Sequence, residues 1–168
     1  CGVNVRSGKM KILNSIFSDN ISVVTADSVG KDIYVADGAE VTASYSMFTP
    51  EKSGDRSVFA AGPGNLILGE GNIFDTANFV SRVDEARYMR STSGAVHFYI
   101  PVALDYLINF NVHLRSVAGY YDAEQNKRIR SYDENSPALD AGDPKCDYSK
   151  EPHTSWGYHG RRVNMGFY

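Results

Sequence analysis

The chain has 168 residues and 42% hydrophobic side chains, which is typical of one soluble globular domain or of part of a larger one. Its formal net charge of −3 gives no reason to expect nucleic acid or an anionic membrane surface as a partner. No apolar run approaches the roughly 20 residues that a membrane-spanning helix needs, so we expect no membrane insertion.

The first half of the chain repeats one short pattern. A β-type stretch ("VNV", "IYV" or "VFA") leads through a glycine-containing turn to a second one: "KMKILNSIF" (9–17), "EVTASYSMF" (40–48) and "NLILGEGNIF" (65–74). Helical periodicity is missing before residue 80. Strand-type units separated by polar loops of unequal length predict β-solenoid coils over residues 1–80. An antiparallel β-sandwich with chance similarity between its strands is the alternative.

Stacked units place like residues over like residues, at the strand spacing of about 4.8 Å. Because one unit cannot bury its apolar face alone, its neighbours are expected to complete the core. Three rows are predicted: a buried aliphatic row (Ile16, Met47, Ile73), a polar row (Ser15, Ser46, Asn72) and an aromatic row at a corner (Phe17, Phe48, Phe74).

Residues 81–108 do not follow the repeat, and we interpret them as an insertion or exit segment. Residues 109–168 then contain "SPALDAGDP" (136–144), where prolines fix φ, Gly142 is free to take a positive φ, and aspartates accept local backbone N–H groups. The ending "RVNMGFY" (162–168) has the period-2 apolar spacing of a strand. Because open solenoid ends expose apolar core and strand edges, 109–168 is predicted to be a capping region of the same domain.

These features resemble the right-handed parallel β-helix proteins of the pectate-lyase-like superfamily. The repeated units resemble its coils, and "NVHLRSVAGYYD", "SPALDAGDP" and "GRRVNMGFY" resemble the terminal region of its secreted bacterial members. The resemblance implies an all-β fold, the last few coils of a right-handed parallel β-helix with a C-terminal capping segment. It also implies an extracellular or cell-surface location, with upstream coils of the same protein as neighbours.

The resemblance further implies a protein that binds or degrades polysaccharide, as a lyase or glycoside hydrolase if it is an enzyme. Catalytic coils are then expected upstream of Cys1, because no acid or base pair recurs in register from coil to coil. The sequence contains no nucleophile elbow, P-loop, dinucleotide fingerprint or Cys-x-x-Cys, so catalytic residues stay unassigned. A non-catalytic structural or adhesive solenoid of the cell surface is the alternative.

One loop within residues 109–168 contains aromatic side chains that can stack on sugar rings and basic side chains that can donate hydrogen bonds to hydroxyl groups. A loop whose tryptophan covers the end of the core is the alternative. The candidate carbohydrate-binding residues are His153, Trp156, Tyr158, His159 and Arg161.

Four carboxylates lie within twelve residues of the same region. Hard cations need several such oxygens, so Ca²⁺ is a candidate ligand, whereas turn formation and pairing with arginine are the alternative. The spacing matches no EF-hand loop, and we expect no cofactor to be required for folding. The four residues are Asp140, Asp143, Asp147 and Glu151. Two cysteines, Cys1 and Cys146, either form one disulfide or stay as two thiols.

Overall fold

The computed structural model describes residues 2–18, 20, 29–51, 56–79, 89–90, 96–97, 113–122, 126–129, 132–149, 160 and 162–166. Every regular element among these residues is a β-strand. The chain divides into two compact units: Cys1–Asn78 with Leu114–Tyr168, and Phe79–His113.

The strands alternate with short turns and longer loops. They are, in chain order, β1 (Val3–Val5), β2 (Lys9–Leu13), β3 (Val29–Val35), β4 (Glu40–Ser44), β5 (Met47–Phe48), β6 (Arg56–Ala60), β7 (Asn65–Leu68), β8 (Ile73–Phe74), β9 (Met89–Arg90), β10 (Val96–His97), β11 (Tyr120–Asp122) and β12 (Lys127–Ile129). In the second unit β9 pairs antiparallel with β10, and in the first unit β11 pairs antiparallel with β12.

The remaining strands form three parallel sheets, in the orders β1-β3-β6, β2-β4-β7 and β5-β8. Residues 3–17, 29–48 and 56–74 each contribute once to every sheet, and we call these segments rungs 1, 2 and 3. In rung 1, a parallel bridge from Ile16 to Met47 takes the place of the third strand. The predicted all-β fold with parallel strands is therefore confirmed, and the antiparallel sandwich is wrong for these strands.

The core is built from the alternating residues of the sheets. In β4, for example, Val41 and Ala43 are buried, while the residues that alternate with them, Glu40, Thr42 and Ser44, are half-buried. This is the period-2 pattern of strands with one face against a core. The buried cluster consists of Ile12, Ile33, Val35, Ala39, Val41, Ala43, Phe48 and Val58.

The aliphatic row has the predicted register. Met47 pairs with Ile16 in rung 1 and with Ile73 in rung 3. Met47 is fully buried, but Ile16 and Ile73 are only half-buried. The stacking is therefore confirmed, whereas burial is complete only in rung 2, because among the described residues rungs 1 and 3 each have a neighbouring rung on one side.

The aromatic row is confirmed as well. The ring of Phe48 is fully buried, and its centroid lies 5.3 Å from that of Phe17 and 5.4 Å from that of Phe74. The first pair is stacked and the second tilted, both within the range that aromatic pairs favour. Phe48 therefore links all three rungs at one corner of the core.

The polar row forms a ladder of side-chain hydrogen bonds. The backbone N–H of Ser15 donates to Ser46 Oγ (3.2 Å), and that of Ser46 donates to Asn72 Oδ1 (3.1 Å). Asn72 Nδ2 in turn donates to the carbonyl oxygen of Ala43 (2.8 Å). These side chains satisfy backbone groups at the turn, where the strand ladders are interrupted.

A column of left-handed residues makes this turn in every rung. Asn14, Tyr45 and Gly71 occupy the same place between the second and third sheets, with φ of 49°, 46° and 71°. Asparagine and glycine adopt this conformation readily, whereas a bulky residue such as tyrosine rarely does. Gly71 also has room for no side chain, because a Cβ there would overlap the Tyr45 ring.

We expect Gly71→Ala to lower the free energy of unfolding by about 2 kcal/mol, from left-handed strain together with displacement of the Tyr45 ring. Gly38→Ala is the matched control: Gly38 also has a positive φ (75°), but a Cβ there meets nothing within 4 Å. Urea unfolding of both variants separates the two costs. Equal losses would show that the ring contact contributes nothing.

We call residues 136–168 the tail. Its described residues fold back so that the backbone near residue 140 contacts the backbone of residues 163–165. The backbone N–H of Gly142 donates to the carbonyl oxygen of Val163 (2.8 Å), and that of Met165 donates to Ala138 (2.9 Å). Residues 163–166 form no strand, so the strand predicted over 162–168 is wrong for them; residues 167 and 168 lie outside the described residues. Only isolated backbone bonds form here, and Gly166 (φ 88°) is not extended.

Candidate functional site

Two aromatic side chains lie on the outer face of the β1-β3-β6 sheet. Tyr34 stands between the fully buried Ile33 and Val35, so strand alternation directs it to the opposite face. Tyr34 is in register with Phe59, and their ring centroids are 5.8 Å apart with an interplanar angle of 34°. Both side chains are half-buried. We call this pair the aromatic platform.

Polar and small residues surround the aromatic platform. Asn4 is exposed and in register with Tyr34, so it continues the row into rung 1. Arg6 is also exposed, and alternation directs it to the same face. The N–H groups of Ala36 and Ala61 continue the ladder on rungs 2 and 3 (2.8 and 2.9 Å). The face therefore combines two aromatic rings, hydrogen-bond donors on rung 1, and the small side chains of Ala36 and Ala61 beside the rings.

A bulge in β3 positions Tyr34. The register of β3 against β6 shifts between Val29 and Ile33, and Gly30 within the bulge has φ 66°. A Cβ on Gly30 would come within 3.0 Å of Tyr34 Cβ and 3.1 Å of its ring atom Cδ2. Glycine thus allows the backbone to pass directly beside the tyrosine ring.

The same bulge buries a carboxylate. Asp32 is fully buried beside the equally buried Ile33, which breaks the alternation of β3. Asp32 Oδ2 accepts a hydrogen bond from the backbone N–H of Thr49 (2.7 Å). Asp32 Oδ1 accepts from Thr49 Oγ1 (3.1 Å) and from Asn20 Nδ2 (2.9 Å). The carboxylate thereby ties residue 20 and the end of β5 to the bulge, which is a structural use of a buried acid.

The outer face of the β2-β4-β7 sheet is polar in rungs 1 and 2. Lys9 Nζ lies 3.1 Å from Glu40 Oε2, with 79% of the lysine side chain exposed. Lys11 is exposed and in register with Thr42. An ion pair this exposed contributes little to stability. These groups are accessible to a solute, but no ring accompanies them on this part of the face.

Tyr45 is the described residue whose ionisation is clearly perturbed. Its hydroxyl donates to Glu70 Oε2 (3.1 Å), and the guanidinium carbon of Arg162 lies 5.8 Å from the centre of its ring. Desolvation, and then the hydrogen bond to Glu70, raise the pKa of the Tyr45 hydroxyl, while Arg162 opposes the shift. The Tyr45 hydroxyl is therefore harder to deprotonate than an ordinary tyrosine hydroxyl, which suits its role as the donor to Glu70.

Two of the predicted calcium ligands are engaged in turns. Asp143 and Asp147 each accept, through Oδ1, a hydrogen bond from the backbone N–H two residues further on (both 2.9 Å). Asp140 is exposed at a positive φ of 52°, and Glu151 lies outside the described residues. Within the described ranges, no three His, Cys, Asp or Glu side chains meet as a metal site. The calcium site therefore stays a prediction.

The predicted carbohydrate loop is not among the described residues. His153, Trp156, Tyr158, His159 and Arg161 all lie outside them, so their role stays a prediction. The aromatic platform was not predicted, although the sequence contained a signal. The middle letters of "VNV", "IYV" and "VFA" are Asn4, Tyr34 and Phe59, flanked by aliphatic residues that face the core.

No protein-family model, curated protein or solved structure matches the chain. In the part of the chain that the structure describes, no helix is long and apolar enough to cross a membrane. The function is therefore inferred from the residues and their geometry.

Proposed function

We propose that this chain forms coils of a right-handed parallel β-helix of the pectate-lyase-like kind, and that it binds polysaccharide outside the cell or at the cell surface. The aromatic platform of Tyr34 and Phe59 is the binding surface, with Asn4 and Arg6 as its polar partners. The pair of rings in register on an outward-facing sheet is the observation that carries the proposal.

Several features support the β-helix. Three rungs contribute in the same order to three parallel sheets, and their aliphatic, polar and aromatic rows are in register. The left-handed turn recurs at one place in each rung. A coil that returns to the same three sheets on every pass is the arrangement of a solenoid, in which each rung contacts its neighbours alone.

The chemistry of the aromatic platform suits a sugar polymer. Pyranose rings have apolar C–H faces that stack on aromatic rings, and hydroxyl groups at their rims that need hydrogen-bond partners. Rings on two successive rungs can contact two successive sugar units. The Asn4 amide offers both a donor and an acceptor, and the Arg6 guanidinium offers donors to a hydroxyl or, in an acidic polymer, to a carboxylate.

Native gel electrophoresis through polygalacturonate and through a neutral β-glucan tests this function. We expect at least one polymer to retard the chain. Tyr34→Ala and Phe59→Ala should each weaken the binding about tenfold, as the loss of one stacking contact of about 1.4 kcal/mol implies. Selective loss of the polygalacturonate interaction in Arg6→Ala would identify the ligand as acidic.

Tyr148→Ala is the matched control, because Tyr148 is an exposed tyrosine of the tail, outside the rungs. It should bind as the unaltered chain does. If neither polymer retards the chain, or if Tyr148→Ala weakens binding as much as Tyr34→Ala, polysaccharide binding at the aromatic platform is wrong.

A structural or adhesive stalk is the second candidate function. The polar outer positions of β4, Glu40, Thr42 and Ser44, favour it, since a polar face that contacts solvent is what a scaffold needs. A stalk predicts no retardation by either polymer together with a single cooperative thermal transition. The same gels therefore distinguish the two functions.

A further inference from the structure

The tail is attached to the turn of rung 1 through a single asparagine. Asn14 Oδ1 accepts a hydrogen bond from the backbone N–H of Asp143 (2.7 Å), and Asn14 Nδ2 donates to Cys146 Sγ (3.3 Å). The carbonyl oxygen of Asn14 accepts from the N–H of Gly166 (2.7 Å). One residue of rung 1 thus binds both segments of the tail, across more than a hundred residues of chain.

Arg162 joins the two segments of the tail beside the contact with Asn14. Its Nε donates to the carbonyl oxygen of Gly142 (2.9 Å), and its terminal nitrogen donates to that of Ala141 (3.0 Å) and also to that of Gly142. Its guanidinium lies over the ring of Tyr45, in rung 2. Arg162 therefore holds the two tail segments together and against the turn column.

Close approach at this contact depends on the absence of a side chain at Gly142. A Cβ there would lie 2.5 Å from Val163 Cγ2 and 3.0 Å from Asn14 Oδ1. Gly166 is similarly close to rung 1, since its Cβ would lie 3.0 Å from Ile16 Cδ1. The tail thus covers part of the half-buried end of the aliphatic row.

We propose that residues 138–146 and 162–166 form a clasp on the turn of rung 1, and that opening of this clasp releases rung 1 while rung 3 stays folded. In a solenoid each rung contacts only its neighbours, so one rung can open locally while the others stay folded. The clasp opposes this opening, because it joins rung 1 to a part of the chain that is remote in sequence. It controls whether rung 1, and with it Asn4 and Arg6, stays in place.

The thiol of Cys146 reports on the clasp, since it is half-buried and accepts the Asn14 hydrogen bond. In a Cys1→Ser background, Asn14→Gly removes both side-chain bonds but keeps the positive φ accessible. We expect labelling of Cys146 by an aromatic disulfide reagent to become about tenfold faster, as the loss of hydrogen bonds of this kind implies. Amide exchange should also become faster over 3–13, but not over 56–68.

Asn126→Gly is the matched control, since Asn126 also has a positive φ (48°) but precedes β12 and belongs to neither segment of the clasp. It should leave the labelling rate unchanged. Arg162→Gln provides a second variant and should act as Asn14→Gly does. Unchanged labelling in both clasp variants would overturn the proposal, and so would equal acceleration of exchange in rungs 1 and 3, which indicates global loss of stability. Neither outcome depends on polysaccharide binding.

Discussion

Replacing Phe48 by alanine is expected to lower the free energy of unfolding by about 3–5 kcal/mol, the range for truncating a buried aromatic side chain. Phe48 is fully buried, belongs to the core cluster and contacts the rings of Phe17 and Phe74 on either side. Its removal leaves a cavity between rungs and ends both aromatic contacts. Urea unfolding followed by far-ultraviolet circular dichroism measures the loss.

Phe74→Ala is the matched control, because Phe74 stands in the same row but is 38% exposed. It should cost less than half as much, since part of its ring already contacts water and no enclosed cavity forms. A larger loss for Phe74→Ala than for Phe48→Ala would contradict the order in which the rungs stack.

Asp32→Ala is expected to cost about 3 kcal/mol. The substitution leaves the Thr49 N–H and hydroxyl and the Asn20 amide without their common acceptor, in a place that is shielded from water. Because Asp32 lies in the bulge that positions Tyr34, the variant should also bind polysaccharide more weakly. Chemical denaturation and the native gels measure the two effects separately.

Asp37→Ala provides the comparison for this variant. Asp37 is an exposed aspartate in the turn after β3, and its loss should change stability by no more than about 0.5 kcal/mol. A similar loss for the two variants would mean that the buried hydrogen bonds of Asp32 contribute nothing beyond the loss of an acidic side chain.

The aliphatic, polar and aromatic rows were predictable because the repeat itself specifies which residues of successive units are in register. Ser15, Ser46 and Asn72 precede an aliphatic residue and a phenylalanine in every unit, and parallel stacking then needs no further information. The pattern predicted burial of the whole aliphatic row, but it could not show that Ile16 and Ile73 are only half-buried. Burial depends on how many neighbouring rungs cover each residue, which the pattern within one unit does not specify.

The aromatic platform could have been predicted only in part. The letters "VNV", "IYV" and "VFA" place a ring between core residues in two units, and this indicates an outward-facing pair. The bulge at Gly30 could not be foreseen, because an extra residue in a strand leaves no periodic signal. The burial of Asp32 follows from that bulge, and alternation alone would have exposed it.

The tail was harder to predict because its contacts are remote in sequence. Its proline, glycine and aspartate residues predict turns, and turns are present around Asp143 and Asp147. Nothing in "SPALDAGDP" specifies Asn14 as a partner, since that contact depends on three-dimensional proximity across most of the chain. The strand predicted over residues 162–168 was wrong for 163–166, because period-2 spacing predicts a strand only where a long edge is available for pairing.

Cysteine cross-linking tests the parallel stacking of the rungs most directly. In a Cys1→Ser, Cys146→Ser background, Lys11→Cys with Thr42→Cys places two thiols in register on neighbouring strands, at a Cα separation of about 4.8 Å that suits a disulfide. Lys11→Cys with Ile67→Cys lies on the same face two rungs apart, at about 10 Å. We expect mild oxidation to cross-link the first pair and leave the second as free thiols. Failure of the first pair to cross-link, or equal cross-linking of both, would contradict the parallel stack on which the aromatic platform depends.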